Sequence, residues 1–205
     1  MIDIFDNQKI DLTNLTCNSG GAEGADTVFE NVCMKRGIKV NAFSYKTKYH
    51  NSPNKVEISD TDYNEGVNEI NKANHLLNRY GAYKYMNLLA RNWAQVKYSS
   101  EIFAIGTILN PGEKSKKGYR CNSKYQSVDG GTGYAVQMAI CNNKPVYVFD
   151  QDKIQWFRWS YTSLTFIKCD VPKIKTQNFA GVGTREINQH GINAINDLLN
   201  NTFAD

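Results

Sequence analysis

The stretch that decides the fold is Cys17-Asn18-Ser19-Gly20-Gly21-Ala22-Glu23-Gly24-Ala25-Asp26. Leu15 to Asn18 reads as a short core strand. Ala22 to Arg36 reads as a helix, with Val28, Phe29, Val32 and Cys33 at helical spacing and Gly37 in the usual stop position. Three glycines and two acids separate these elements. Glycine at a strand-to-helix junction tolerates positive φ and lets a ligand approach the backbone. The free N–H groups of the first helical turn favour an anion. The stretch therefore reads as a nucleotide- or phosphate-binding turn, or else as a plain tight turn. It is neither a Gly-Lys-Ser/Thr phosphate loop nor a GxGxxG fingerprint.

Two further glycine turns give the first one partners. Asp129-Gly130-Gly131-Thr132-Gly133 precedes a helical pattern from about Tyr134 to Asn142, and Asn178-Phe179-Ala180-Gly181-Val182-Gly183-Thr184-Arg185-Glu186 precedes one from about Glu186 to Asn200. Ile38–Phe43, Glu101–Leu109 and Pro145–Phe149 read as strands. Helices are expected over Asp60–Asn78, with Ser59 as its N-cap, and over Tyr83–Lys97. Residues 1–13 read as a small N-terminal strand or arm, and 44–56 and 110–127 as basic polar loops, the second long enough to be a lid. Strands alternating with helices predict a Rossmann-like α/β domain with a parallel sheet flanked by helices. Residues 151–169 predict an appended β-hairpin. One domain spanning 1–205 is expected. The three glycine turns would then meet at the carboxyl ends of the strands, where ligands bind in such sheets.

The bulk numbers fit that class. The chain has 205 residues, 41% hydrophobic and 21% charged, enough for a full core. A net charge of +4 suits an anionic ligand without demanding nucleic acid. Five cysteines, Cys17, Cys33, Cys121, Cys141 and Cys169, form no CxxC pair, so neither a disulfide framework nor a metal site is expected. With no leader pattern and no membrane-length apolar run, a cytoplasmic setting is expected.

The candidate ligand-binding residues follow from the turns. Ser19, Gly20, Gly21 and Ala22 belong to the first, and Gly130, Gly131, Thr132 and Gly133 to the second. Gly183, Thr184 and Arg185 belong to the third, and Gly106 and Thr107 lie within the strand of 101–109. Their amides and hydroxyls suit phosphate. Arg91, in the otherwise apolar Leu88-Leu89-Ala90-Arg91-Asn92-Trp93, is either a surface arginine or a bidentate contact to phosphate or carboxylate. Glu23 and Asp26 are either helix caps or acceptors for ribose hydroxyls, and Asp129 either caps its helix or faces the ligand. His50, His75 and His190 read as solvated side chains or minor contacts. Trp156, Phe157, Trp159 and Tyr161 read as core or as an oligomer contact, with base stacking as the rival.

The first turn, Ser19 to Asp26, resembles the GGA-x-GAD turn of the SLOG superfamily, the Rossmann-like group that holds the Lonely Guy phosphoribohydrolases and the DNA-processing protein A family. Arg91 to Ala104 is similar to the Lonely Guy stretch in which an arginine heads a helix. Asp129 to Gly133 resembles that family's PGGxGTxxE motif, with Asp129 in the proline place. The resemblance implies that Arg91 matches the arginine serving cleavage of an N-glycosidic bond. The motif's glutamate, however, falls on Gln137 and its threonine on Tyr134. Near its whole length the chain is also similar to a group of bacteriophage proteins, a similarity that names no activity.

Together these readings give a lead expectation of a binding protein. It would sequester a phosphorylated nucleotide-derived signal, of ADP-ribose or cyclic-nucleotide type, against host immune signalling, in the host cytoplasm if the chain is phage-encoded. The small molecule is the expected partner, with no other cofactor, no metal, no membrane and a homo-oligomer of dimer size or larger, the hairpin at 153–168 being its candidate interface. A nucleotide N-glycosidase using Arg91 with Glu23, Asp26 or Asp129 is the first alternative. A single-stranded nucleic-acid binder using Lys114, Lys116, Lys117 and Arg120 is the second, against which the modest net charge argues.

Overall fold

The computed structural model describes residues 11–47, 50 and 52–204. In chain order the elements are β1 (Thr16–Ser19), α1 (Ala25–Met34), β2 (Lys39–Ser44), β3 (Lys55–Glu57), α2 (Asp60–Leu77), α3 (Met86–Lys97), β4 (Glu101–Gly106), β5 (Ile108–Leu109) and β6 (Ser127–Val128). They continue with α4 (Thr132–Cys141), β7 (Val146–Asp150), β8 (Gln155–Ser160), β9 (Thr165–Cys169), β10 (Asn178–Gly183) and α5 (Gln189–Phe203). Eight strands form one sheet in the order β3-β2-β1-β10-β4-β7-β8-β9. The first six in that order run parallel, and the β8–β9 hairpin extends the edge antiparallel. This is the expected Rossmann-like α/β fold with an appended hairpin. Residues 1–10, most of the expected N-terminal arm, lie outside the described residues.

Side-chain alternation builds the two cores. On β4, Ile102 and Ala104 face a cluster with α2, α3 and α4, including Ile70, Leu77 and Met138. Phe103 and Ile105 face the opposite cluster with α1 and α5, including Phe29, Ile195 and Leu198. A strand covered by helices on both faces is apolar throughout, as EIFAIG largely is. Helix α2 starts where expected, because the Ser59 hydroxyl accepts the Asp62 N–H at 3.0 Å. Helix α1 closes through Ile38 N–H donating to Cys33 C=O and Gly37 N–H to Met34 C=O, both at 3.0 Å.

The structure corrects several boundaries. The stretch 178–183, expected as a glycine turn, is the central strand β10 between β1 and β4, and its helix begins at Gln189. Glycines serve there as packing devices: a Cβ at Gly181 would lie 2.4 Å from the Phe29 ring. The expected strand 101–109 breaks after Gly106, so that Ile108 and Leu109 pair with Val128 and Ser127 in a separate ribbon. The polar loop 44–56 ends in β3, which joins the sheet beside β2. The segment 110–127 is a folded arm rather than an open loop, because Gly112 and Cys121, and Ser115 and Tyr119, hydrogen-bond across it. Trp156 and Trp159 of the hairpin are buried.

Candidate functional site

The chain steps from β1 outward to β2 and β3, then crosses to β4 and β7 and returns to place β10 between β1 and β4. The carboxyl ends of β1, β10 and β4 therefore flank the point where the winding reverses, which is the ligand-binding position of open α/β sheets. The turns that follow β1 and β10 are joined there by backbone bonds. Ala25 N–H donates to Thr184 C=O at 3.0 Å, and Thr184 N–H donates to Ile105 C=O at 3.0 Å. Gly24, at φ +99°, is the N-cap of α1. Its missing Cβ would lie 2.5 Å from both Arg185 Cα and Thr184 O. The first and third turns thus fit against each other only through glycine.

Arg91 stands beneath the first turn. Its guanidinium fills the space a Cβ on Gly20 would need, 1.2 Å from Nη1. Nη1 contacts Asp26 Oδ2 at 3.4 Å and donates to Gln95 Oε1 at 3.1 Å. Both Arg91 and Asp26 are buried, so of the two readings of Arg91, the surface arginine is the one the structure removes. Asp26 also accepts the Gly183 N–H at 3.1 Å, which ties α1 to β10. Burial raises the Asp26 pKa, against the opposing charge of Arg91 and the Gly183 N–H. Asp26 thus faces inward, while Glu23 on the same turn is exposed.

The next residue along α3 reaches the other way. Asn92 Nδ2 donates to Gly131 C=O at 3.5 Å, so Arg91 and Asn92 brace the first and second glycine turns from one helix. Arg79 braces the second turn from behind, donating to Gly130 C=O at 2.9 Å and Val128 C=O at 2.7 Å. Asp129 N–H donates to Thr107 C=O at 3.0 Å, and the Asp129 carboxylate accepts the Gly130 N–H at 2.8 Å. Gly106 lies against Val128 and Thr132, and a Cβ there would be 2.9 Å from Val128 Cγ1. Thr132 is buried and Gly130 and Gly131 are exposed. Arg185 is exposed, and the arm bends toward it, Lys117 Nζ lying 2.7 Å from Glu186 Oε1.

Two residues of this cluster carried no clear signal in the sequence. His50 packs on Gly21, where a Cβ would lie 2.1 Å from its Nε2. Burial and the Arg91 charge push its pKa down; of the two readings of His50, a solvated side chain and a minor contact, its packing on Gly21 favours the contact. Glu30, one turn beyond Asp26 on α1, is buried and accepts the Ser52 hydroxyl at 2.5 Å. Burial raises its pKa against the Ser52 hydrogen bond. Nothing in the local pattern distinguishes Glu30 from a solvated helix residue; only its proximity to Gly21 does. Gln137, at the glutamate position of the resemblance, donates to Cys141 Sγ at 3.5 Å along its own helix. Among the described residues no group of three or more His, Cys, Asp or Glu is placed to hold a metal, and no helix is long and apolar enough to cross a membrane.

A Rossmann-like α/β fold with glycine turns gathered at its switch point defines the class of this chain. It is similar, at 16% identity and a TM-score of 0.51, to the crystal structure of a "putative molybdenum carrier protein" from Syntrophus aciditrophicus SB, over 92% of this chain and 94% of that one. That likeness shows the α/β fold alone. No protein-family model matches the chain, and no curated protein matches it.

Proposed function

We propose that the chain binds and sequesters a phosphorylated, nucleotide-derived small molecule, of ADP-ribose or cyclic-nucleotide type, at the carboxyl edge of the sheet. The observation that carries this reading is the bracing of two glycine turns by Arg91 and Asn92, with the third turn hydrogen-bonded to the first. The exposed Gly131 of the second turn, the positive end of the α1 helix and the Arg185 cation supply donors and positive potential for phosphate. The proposed ligand set is Ser19, Gly20, Gly21, Ala22, Glu23, Asp26, Arg91, Gly106, Thr107, Asp129, Gly130, Gly131, Thr132, Gly133, Gly183, Thr184 and Arg185. Within it, Arg91 and Asp26 act as the buried support and the turn backbones as the contact surface. The biological role we assign is that of a phage inhibitor that withholds an immune signal from a host effector. The chain is proposed to act as one domain and as a homo-oligomer in the cytoplasm.

Glu30 favours a second reading, a nucleotide N-glycosidase. A carboxyl group held toward its protonated form beside a glycine turn has the character of a general acid. The amide of Gln137 supplies no such group, so any cleavage would rest on Glu30, Glu23 or Asp129. Incubation with ADP-ribose, cyclic dinucleotides, nucleoside monophosphates, phosphate and molybdate separates the readings; molybdate is included because the structural neighbour's description names molybdenum. Retention through gel filtration and release of intact ligand on heating supports holding. A free base supports cleavage. A result with neither retention of any compound in the set nor release of a free base from it overturns both.

A further inference from the structure

A second surface lies away from the glycine edge. The C-terminal end of α2, residues 78–86 and the arm enclose a groove of about 710 Å³. Tyr80, Tyr83 and Tyr125 line it, and they are 92%, 70% and 43% exposed. Tyr85 and Tyr119, on the same two segments, are 63% and 70% exposed. Several exposed aromatic rings gathered around one groove mark an interaction surface. No Asp or Glu lines the groove; its charged or titratable residues are Arg79, Lys124 and His75. The Arg79 guanidinium is engaged by Gly130 and Val128, so among the described lining residues Lys124 is the cation offered to a ligand. Lys84 follows Tyr83 on the opposite wall's segment, at the groove's edge, its Nζ 5.9 Å from the Tyr83 ring centroid. Asn78 Nδ2 donates to Asn122 C=O at 3.4 Å, holding the two walls together.

We propose that this groove binds single-stranded nucleic acid, with Tyr80 and Tyr83 stacking on bases and Lys84 and Lys124 on the phosphates between them. Aromatic faces alternating with cations, free of carboxylates, match a strand whose bases present π-faces and whose backbone is uniformly anionic. The groove backs onto the second glycine turn through Arg79, but the proposal does not rest on a ligand at the glycine edge. The modest net charge of +4 argues against binding by overall charge, so the proposal rests on the groove's own cations and rings.

The test is fluorescence anisotropy of the full chain with a labelled 12-nucleotide poly-dT and poly-U, from 20 to 200 mM salt, with duplex DNA and heparin as competitors. The expected result is binding that weakens with salt at a log–log slope of about −1.4, for two phosphate contacts. Tyr80→Ala and Tyr83→Ala, both on the surface, should each weaken it about tenfold with unchanged melting temperature. Lys84→Ala/Lys124→Ala should flatten the salt slope. No binding at 20 mM salt overturns the proposal. So does heparin or duplex competing as well as single strands while the tyrosine variants bind unchanged, since that marks a charge contact without stacking.

Discussion

Arg91 Nη1 lies 3.4 Å from Asp26 Oδ2 with both side chains buried, and the same nitrogen occupies the space that would be the Cβ of Gly20. This pair joins α3, α1 and, through the Gly183 N–H, β10 beneath the glycine edge. Removing Arg91 leaves a buried carboxylate without its counter-charge, a loss of about 3–5 kcal/mol for a buried pair broken on one side. Arg91→Ala and Asp26→Ala should each destabilise the fold strongly. The double variant should lose less than the sum by about 1–3 kcal/mol. Urea unfolding of the three variants measures this, and additive losses would contradict the coupling.

Gly24 and Gly37 both have positive φ, +99° and +72°, yet their surroundings differ. Nothing lies within 4 Å of a Cβ at Gly37, whereas at Gly24 the backbone of Arg185 and Thr184 lies at 2.5 Å. Gly37→Ala should cost about 1 kcal/mol from the left-handed conformation. Gly24→Ala should cost more than about 2 kcal/mol, because the clash is with backbone that cannot swing aside. Equal losses in thermal unfolding would show that the first and third turns do not depend on this close approach.

Glu30 carries a pH signature. Burial raises its pKa in the folded chain above the ordinary 4.5, against the opposing Ser52 hydrogen bond. The native state then holds a proton that the unfolded chain releases, so stability falls as pH rises from that ordinary value through the folded one. Glu30→Gln keeps an oxygen for the Ser52 hydroxyl and removes the titration. Its melting temperature should gain on the wild type as pH rises from 4.5 toward neutrality and then run parallel. A gap independent of pH would show that Glu30 is ionised normally.

The fold was legible where local chemistry and periodicity agree. Ser59 before α2 and Gly37 after α1 each placed an element close to its observed bounds, and the apolar run of β4 placed its start but not its break after Gly106. The central strand β10 was not, because its glycines resemble a turn until Phe29 is known to pack on Gly181. Strand β3 was missed since its three residues are all exposed and offer no buried face to read. At the site, the glycine turns stood out in the sequence because their spacing is local. Arg91 stood out as a charge in an apolar helix, but its burial depends on residues 65 positions away. His50 and Glu30 gave no signal at all, since only the fold brings them to Gly21.

Calorimetric titration of the full chain and of Arg185→Ala with ADP-ribose and cyclic dinucleotides tests the central claim most directly. Arg185 is exposed at the glycine edge and outside the buried support, so its loss should leave the melting temperature unchanged. The account predicts that at least one of these compounds binds the wild type well below 1 mM, more favourable than about −4 kcal/mol. It predicts about tenfold weaker binding to Arg185→Ala, as for one charge-assisted contact. Binding of none of them below millimolar concentration would contradict it.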